Sequence, residues 1–134
     1  MIGILIVTHG NFGTELLKSA ELIIGKQDNV KTLGLNHGDN VDELYDRVSE
    51  AIKELDSGDG VLVFTDLFGG SPSNVVARNM EHLNFYSLTG VNLPMLIEAL
   101  SNRKCFSIDK LITSSYKAGY EGIRNIREIL SCNK

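Results

Sequence analysis

The sequence predicts an α/β fold, a doubly wound and mainly parallel sheet with helices on both faces. Residues 2–7 and 61–65 form apolar runs without polar alternation, which is typical of parallel strands covered on both faces. Each run is followed by a glycine-containing turn and then by apolar residues at helical spacing. This alternation over a length of 134 residues predicts one domain, residues 1–134.

The first half of the chain alternates strand and helix from its start. The first strand is followed by a predicted helix over residues 12–24, which Gly25 ends, and by a short second strand over residues 30–35. Asn40 and Glu43 have the spacing of a capping box and predict the start of a second helix. The apolar faces of these two helices are expected to contain Leu16, Leu17, Ala20, Ile23 and Ile24, and then Leu44, Val48, Ile52 and Leu55.

The third strand, residues 61–65, is followed by a strong helix-start signal. Ser71 supplies a hydroxyl N-cap and Pro72 the first helical position, so a third helix is expected to run to about Glu81. Residues 85–89 predict a fourth strand, and Asn92 can cap a fourth helix after it.

The C-terminal part of the chain begins with a fifth predicted helix. Ser107 can cap this helix, and Gly119 is expected to stop it. The tail over residues 122–130 repeats its apolar residues every three positions, which suits neither a helix nor a strand.

Composition and charge exclude several classes of function. The formal net charge of −4 argues against nucleic acid as a partner. Apolar runs are far shorter than a membrane span, and the first one lacks the basic flank of a signal peptide. Two cysteines, Cys105 and Cys132, fit neither a disulfide framework nor a metal motif, so we expect two reduced thiols in a cytoplasmic protein. No His/Cys cluster suggests a metal, and we expect no cofactor.

Polar residues end three of the predicted strands. His9 follows the first strand, Asp66 the third and Asn92 the fourth. Because ligands of open α/β sheets bind at the carboxyl ends of the strands, these residues are expected at one edge. An aspartate beside a histidine can hydrogen-bond one ring nitrogen and leave the other nitrogen as a nucleophile.

The loop before the third helix completes this chemistry. Gly69, Gly70 and Ser71 offer backbone N–H groups and a hydroxyl at a helix N-terminus, which suits a phosphoryl group. No Walker lysine follows these glycines, so nucleotide hydrolysis is disfavoured. Each residue alone also has a structural interpretation, since aspartate, serine and asparagine all cap turns and helices. His37 and His82 are expected to be solvated and receive no role.

Three blocks of the sequence resemble a known family. They are Thr-His-Gly at 8–10, Gly-Val-Leu-Val-Phe-Thr-Asp-Leu-Phe-Gly-Gly-Ser-Pro-Ser-Asn at 60–74, and Gly-Val-Asn-Leu-Pro-Met-Leu at 90–96. Their order and spacing resemble the enzyme IIA component of the mannose family of the bacterial sugar phosphotransferase system. The resemblance covers essentially the whole chain, and the middle block is its most specific part.

The resemblance implies a phosphotransferase that works through phosphohistidine. It implies that His9 accepts a phosphoryl group from the phosphocarrier HPr, that Asp66 orients it, and that Ser71 helps to hold the group. The next acceptor is a IIB component, expected on a separate chain, which phosphorylates sugar imported by the membrane subunits IIC and IID. The family fold implies strand order 2-1-3-4, with an antiparallel fifth strand near residues 123–126 exchanged across a homodimer.

Apolar residues on loops around the predicted site suggest a surface for partner proteins. Phe12, Phe68, Leu93 and Pro94 are expected to form it, and donor and acceptor would dock there in turn. Two alternatives stay open. One is the phosphoryl-donor subunit of a dihydroxyacetone kinase, which shares the fold and the histidine. The other is a non-catalytic flavodoxin-like binding module, in which His9 and Asp66 would only line a ligand cleft.

Overall fold

The computed structural model describes residues 1–132 of the chain and the side chains of residues 1–131. The expected free thiol of Cys132 therefore lies outside the described part, while Cys105 is free and exposed. The elements in chain order are β1 (Gly3–His9), α1 (Phe12–Ile24), β2 (Val30–Leu35), α2 (Val41–Leu55), β3 (Val61–Thr65), α3 (Ser71–Asn79), β4 (Tyr86–Leu88), α4 (Leu93–Asn102), α5 (Ile108–Glu121) and α6 (Ile126–Cys132).

The four strands form one sheet in the order β2-β1-β3-β4. All three pairings are parallel, with Val7 opposite both Leu33 and Thr65. The prediction of a parallel sheet with order 2-1-3-4 is thus confirmed. The sheet places the ends of β1 and β3 side by side at its carboxyl edge.

Apolar cores on both faces hold the sheet between its helices. Alternate side chains of β1 point to opposite faces, so Ile4 and Ile6 belong to one core and Leu5 and Val7 to the other. The first core also contains residues of α1, α4 and α5, and the second contains residues of α2 and α3. All four of these β1 side chains are fully buried, and each such burial contributes roughly 1.5–3 kcal/mol. The central strand that ends at His9 is therefore rigidly held.

Most predicted boundaries agree with the structure, and two elements are shorter than predicted. Helix α3 ends at Asn79 instead of Glu81. Beyond Asn79 the hydrogen bonds are of the 3₁₀ type, since the N–H of Met80 donates to the carbonyl of Ala77 and that of Glu81 to the carbonyl of Arg78. Strand β4 covers three residues instead of residues 85–89, since only Tyr86–Leu88 pair with β3.

Two predictions about helix ends are wrong. Gly70, not Ser71, is the N-cap of α3, and the helix begins at Ser71. Gly119 does not stop α5, which continues to Glu121 with Gly122 as its C-cap. Gly119 instead lies buried against α4, where an added Cβ would stand 2.7 Å from Cε of Met95. This glycine permits close packing of two helices.

The antiparallel strand expected near residues 123–126, exchanged across a homodimer, is not formed in the single chain. Residues 123–125 have no regular structure, and Ile126 begins helix α6. Three apolar side chains of this tail, those of Ile123, Ile126 and Leu130, are exposed, and that of Ile129 is half-buried. Among residues 1–132 no fifth strand joins the sheet. No helix in this part of the chain is long and apolar enough to cross a membrane.

Candidate functional site

His9 and Asp66 meet at the carboxyl edge of the sheet, as the sequence predicts. His9 is the last residue of β1, and Asp66 directly follows β3, its parallel neighbour. The ring Nδ1 of His9 lies 2.9 Å from Oδ2 of Asp66, and the backbone N–H of His9 donates to the same oxygen at 2.9 Å. The carboxylate therefore fixes both the backbone and the ring of the histidine.

The electrostatics of this pair favour an ionised carboxylate. Burial of the Asp66 carboxyl raises its pKa, but the backbone and ring hydrogen bonds from His9 outweigh burial and hold the pKa below its ordinary value. A carboxylate accepts hydrogen bonds only, so Nδ1 carries the proton that it shares with Asp66. In a neutral ring, Nε2 then keeps its lone pair. The His9 side chain is 50% exposed, which leaves the ring accessible to another molecule.

The N-terminus of α3 lies directly against the histidine ring. An added Cβ at Gly70 would stand 2.9 Å from Cε1 of His9 and 3.6 Å from Nε2. Gly70 is thus the residue that lets the helix start approach the ring. From the sequence, Gly70 was expected only to donate a hydrogen bond, because a contact between distant segments leaves no local signal.

The hydrogen-bond donors at this helix start differ in part from the expected ones. The Gly70 N–H is not free, since it donates to the carbonyl of Leu67 at 3.1 Å within a turn. Pro72 has no N–H, and those of Ser71 and Ser73 make no hydrogen bond within the described part of the chain. The exposed Ser71 hydroxyl does not cap the helix. The geometry therefore offers Ser71 and Ser73, rather than Gly70, as donors to an anion.

The turn after His9 is also held tightly. Gly10 adopts a φ of +55°, and its N–H donates to the carbonyl of Leu35 on β2 at 2.8 Å. The buried hydroxyl of Thr8 accepts the N–H of Gly13 at 2.9 Å and so ties the start of α1 to β1. Thr8 was singled out from the sequence only as part of the Thr-His-Gly block, and Leu35 only as the end of the second strand.

Asn92 is occupied by structural hydrogen bonds. Its Oδ1 accepts the N–H of Met95 at 3.0 Å, which confirms the predicted N-cap of α4. Its Nδ2 donates to the carbonyl of Gly119 at 2.9 Å and ties α4 to α5. Asn92 therefore supports the edge of the sheet.

Apolar side chains occur in the segments that follow β1, β3 and β4. Phe68 is 83% exposed, and Phe12 and Leu67 are also exposed. Leu93 is half-buried and Pro94 is exposed at the start of α4. Leu67 was missed from the sequence, where it reads as part of an apolar stretch after the strand.

Neither of the two other histidines has a carboxylate partner like that of His9 among the described residues. His37 and His82 are exposed, as expected, and neither makes a side-chain hydrogen bond in the part of the chain that is described. Among residues 1–132, no three His, Cys, Asp or Glu side chains are grouped so as to hold a metal ion.

Sequence comparisons relate the chain to one group of proteins. The family model EIIA-man, described as "PTS system fructose IIA component", matches residues 3–115. The chain is 36% identical over 128 residues to the PTS system mannose-specific EIIAB component of Escherichia coli (strain K12), covering 94% of this chain. It spans 40% of the length of that relative. It is also 31% identical to the PTS system fructose-specific EIIA component of Bacillus subtilis (strain 168), over 85% of this chain and 79% of that protein.

Solved structures agree with these relatives. The phosphotransferase system component EIIA from Streptococcus agalactiae has a TM-score of 0.87 and 34% identity, covering 96% of this chain and 99% of that one. The PTS IIA protein associated with the fucose utilization operon from Streptococcus pneumoniae has a TM-score of 0.82 and 32% identity, over 96% and 95% of the two chains.

Proposed function

The chain belongs to the EIIA-man family of sugar phosphotransferase system components, and from this premise we propose that it is a phosphocarrier that uses His9. In this function, His9 accepts a phosphoryl group from phospho-HPr and passes it to a IIB component. The IIB component then phosphorylates sugar that the membrane subunits IIC and IID import.

The observation that carries the proposal is the Nδ1–Asp66 hydrogen bond of 2.9 Å beside an accessible Nε2.

The transfer exchanges one phosphorus–nitrogen bond for another. The Nε2 lone pair of His9 attacks the phosphorus of the donor's phosphohistidine, while the bond to the donor nitrogen breaks and the donor imidazole leaves with its electron pair. The His9 ring gains positive charge as the new bond forms, and the Asp66 carboxylate stabilises that charge. Such a transfer needs mainly positioning and charge stabilisation. Transfer to IIB is the same exchange in the opposite direction.

The N-terminus of α3 is the proposed binding site for the phosphoryl oxygens. These oxygens carry roughly two negative charges near neutral pH, by analogy with other phosphorylated side chains. The N–H groups of Ser71 and Ser73 and the Ser71 hydroxyl would donate to them, assisted by the helix dipole. Gly70 contributes space, because it lets His9 lie against the helix start.

Donor and acceptor would use one docking surface, formed by Phe12, Phe68, Leu93 and Pro94 around His9. The high exposure of Phe68 supports this assignment, since a large aromatic side chain in water is favourable to cover. Both partners must dissociate after each transfer, so we expect a small interface, below about 1,200 Å² in total.

A homodimer with an exchanged tail is part of the proposal. Strand β4 lies at the edge of the described sheet, so its outer side is free to pair. Residues 123–125 have no regular structure, and the exposed side chains of Ile123, Ile126 and Leu130 need cover. In the dimer, the segment before α6 would add an antiparallel strand to the partner's sheet.

Truncation tests this assembly. A chain that ends after Gly122 keeps α5 whole and loses the exposed tail, so it should sediment as a monomer. A chain that ends after Leu130 keeps the exposed side chains of Ile123, Ile126 and Leu130 and should remain a dimer. A stable dimer after truncation at Gly122 would count against the exchange.

Phosphorylation tests the function itself. The protein is incubated with phosphoenolpyruvate, enzyme I and HPr, and a carrier should gain one acid-labile phosphate per chain. His9→Ala should abolish labelling, whereas the matched variants His37→Ala and His82→Ala should be labelled like the wild type, because both histidines are exposed. A protein that gains no phosphate would be a binding module. A labelled protein that transfers to a dihydroxyacetone kinase subunit and not to any IIB would belong to that system.

A further inference from the structure

Strand β2 contacts the turn that follows His9, although it carries none of the polar side chains of the site. In the parallel pairing of β1 and β2, Gly34 lies opposite Thr8 and Leu35 opposite His9. The N–H of Gly10 donates to the carbonyl of Leu35 at 2.8 Å. The peptide after His9 is therefore held by the end of an edge strand.

The carbonyl of Gly10 lies against the α-carbon of Gly34. A Cβ added at Gly34 would stand 2.1 Å from the Gly10 oxygen and 3.1 Å from its carbonyl carbon. Since real Cβ contacts are essentially never shorter than 3.0 Å, the carbonyl would have to move by about 1 Å. The obstructing atom is backbone, so no side-chain rotation relieves the contact.

Movement of the Gly10 carbonyl would also change the position of the His9 ring. His9 is held on one side by Asp66, which accepts its backbone N–H, and on the other by the Gly10 N–H bond to Leu35. The Gly10 N–H and the Gly10 carbonyl belong to the peptide groups on either side of its α-carbon, so displacing the carbonyl would rotate the Gly10 backbone and strain the N–H bond to Leu35. The bond from His9 to Asp66 would stay in place, so the ring would turn relative to the helix start at Gly70.

We propose, on the premise of the phosphocarrier function above, that Gly34 is a positioning residue for phosphoryl transfer at His9. It acts through the backbone of Gly10 and touches neither the ring nor the phosphoryl group. Its part in the reaction is to leave room for the Gly10 carbonyl, which keeps Nε2 in line with the incoming phosphorus.

The test compares Gly34→Ala with a control on the same strand. In single-turnover reactions with phospho-HPr, Gly34→Ala should lower the maximal rate about 10- to 100-fold, as expected for a displacement of about 1 Å. The half-saturating donor concentration should stay unchanged, because the docking surface is intact. Leu33→Ala removes apolar packing from β2 without touching Gly10, so it should lower Tm and leave the maximal rate near that of the wild type.

Two results would overturn the proposal. One is a folded Gly34→Ala variant whose maximal rate lies within twofold of the wild type. The other is a Leu33→Ala variant slowed as much as Gly34→Ala, since this would make the effect one of strand stability.

Amide hydrogen exchange provides a readout that needs no phosphorylation. In the wild type, the Gly10 amide should exchange at least tenfold more slowly than that of Gly38, whose N–H has no partner among residues 1–132. In Gly34→Ala this protection should be lost. If the variant does not fold, amide exchange in the wild type is the test. A Gly10 amide that exchanges as fast as the Gly38 amide would then refute the contact between Gly10 and β2. A wild type that gains no phosphate would refute the phosphocarrier function instead, while the exchange result still tests the contact.

Discussion

Replacement of Asp66 by asparagine separates the charge of this residue from its shape. Oδ2 of Asp66 accepts both the backbone N–H and the ring Nδ1–H of His9, each at 2.9 Å. The amide oxygen of asparagine can take over these bonds, which places its NH₂ group where Oδ1 lies now, buried and without a partner. We therefore expect a folded variant that loses about 1–2 kcal/mol of stability to the unpaired amide.

The rate effect follows from the lost charge. Hydrogen bonds to a charged group contribute about 1.5–3 kcal/mol, against about 0.5–1.5 for neutral ones, so stabilisation of the cationic ring should fall by about 1–1.5 kcal/mol. Phosphorylation by phospho-HPr should then slow about tenfold in rapid-quench, single-turnover experiments at saturating donor. The side chain of Asp66 is only 14% exposed, so solvent screens little of this effect.

A matched control keeps this prediction specific. Oδ1 of Asp56 accepts the N–H of Gly58 at 2.9 Å, in the turn that precedes β3 and therefore at the opposite edge of the sheet. Asp56→Asn should leave the transfer rate unchanged. A rate for Asp66→Asn within twofold of the wild type, or an equal loss in Asp56→Asn, would refute the role of the carboxylate.

Three further predictions follow from the same geometry. Phe68→Ala should raise the half-saturating concentration of phospho-HPr severalfold without lowering Tm, because the ring is 83% exposed; equal kinetics would assign Phe68 no docking role. Gly70→Ala should displace the His9 ring by a few tenths of an ångström and lower the maximal rate with little change in donor affinity, since its Cβ would stand 2.9 Å from Cε1. Because folding lowers the pKa of Asp66, its carboxylate stabilises the folded protein at pH values above its unfolded-state pKa of about 3.9, and this stabilisation is lost as pH falls through the folded-state pKa. Urea titrations should therefore show the stability difference between the wild type and Asp66→Asn shrinking below about pH 4, and a constant difference would contradict this sign.

The features that the sequence predicts correctly are those with a regular pattern along the chain. Continuous apolar runs identify β1 and β3 because both faces of these strands are buried. The meeting of His9 and Asp66 then follows from topology, since parallel neighbours end at the same edge. The caps Asn92 and Ser107 also have local signals, and both accept the expected helix N–H groups.

The features that the sequence misses depend on contacts between distant segments. Gly34, Gly70 and Gly119 each permit a close approach of chain from elsewhere, at Gly10, His9 and Met95 respectively. From the sequence alone, a glycine near the end of a helical pattern predicts the end of the helix. Gly119 was therefore expected to end α5, which continues past it to Glu121.

The tail is ambiguous for a different reason. Its three-residue repeat of Ile123, Ile126 and Ile129 fits no period with one buried face, and in the single chain Ile123 and Ile126 remain exposed. Helix α6 forms although Ile126 and Leu130 are exposed and Ile129 is only half-buried. A three-residue repeat defines no buried face within one chain, so the sequence assigns this tail to neither a helix nor a strand.

Site-resolved mapping of the phosphate tests the central claim most directly. After reaction with phospho-HPr, the protein is kept at alkaline pH, digested, and examined by mass spectrometry, while ¹⁵N NMR of the intact protein identifies the modified ring nitrogen. We expect one phosphate per chain, on His9 and bonded to Nε2, because Asp66 occupies Nδ1. A phosphate on His37 or His82 with His9 unmodified would contradict the account, and so would a phosphate on Nδ1 of His9.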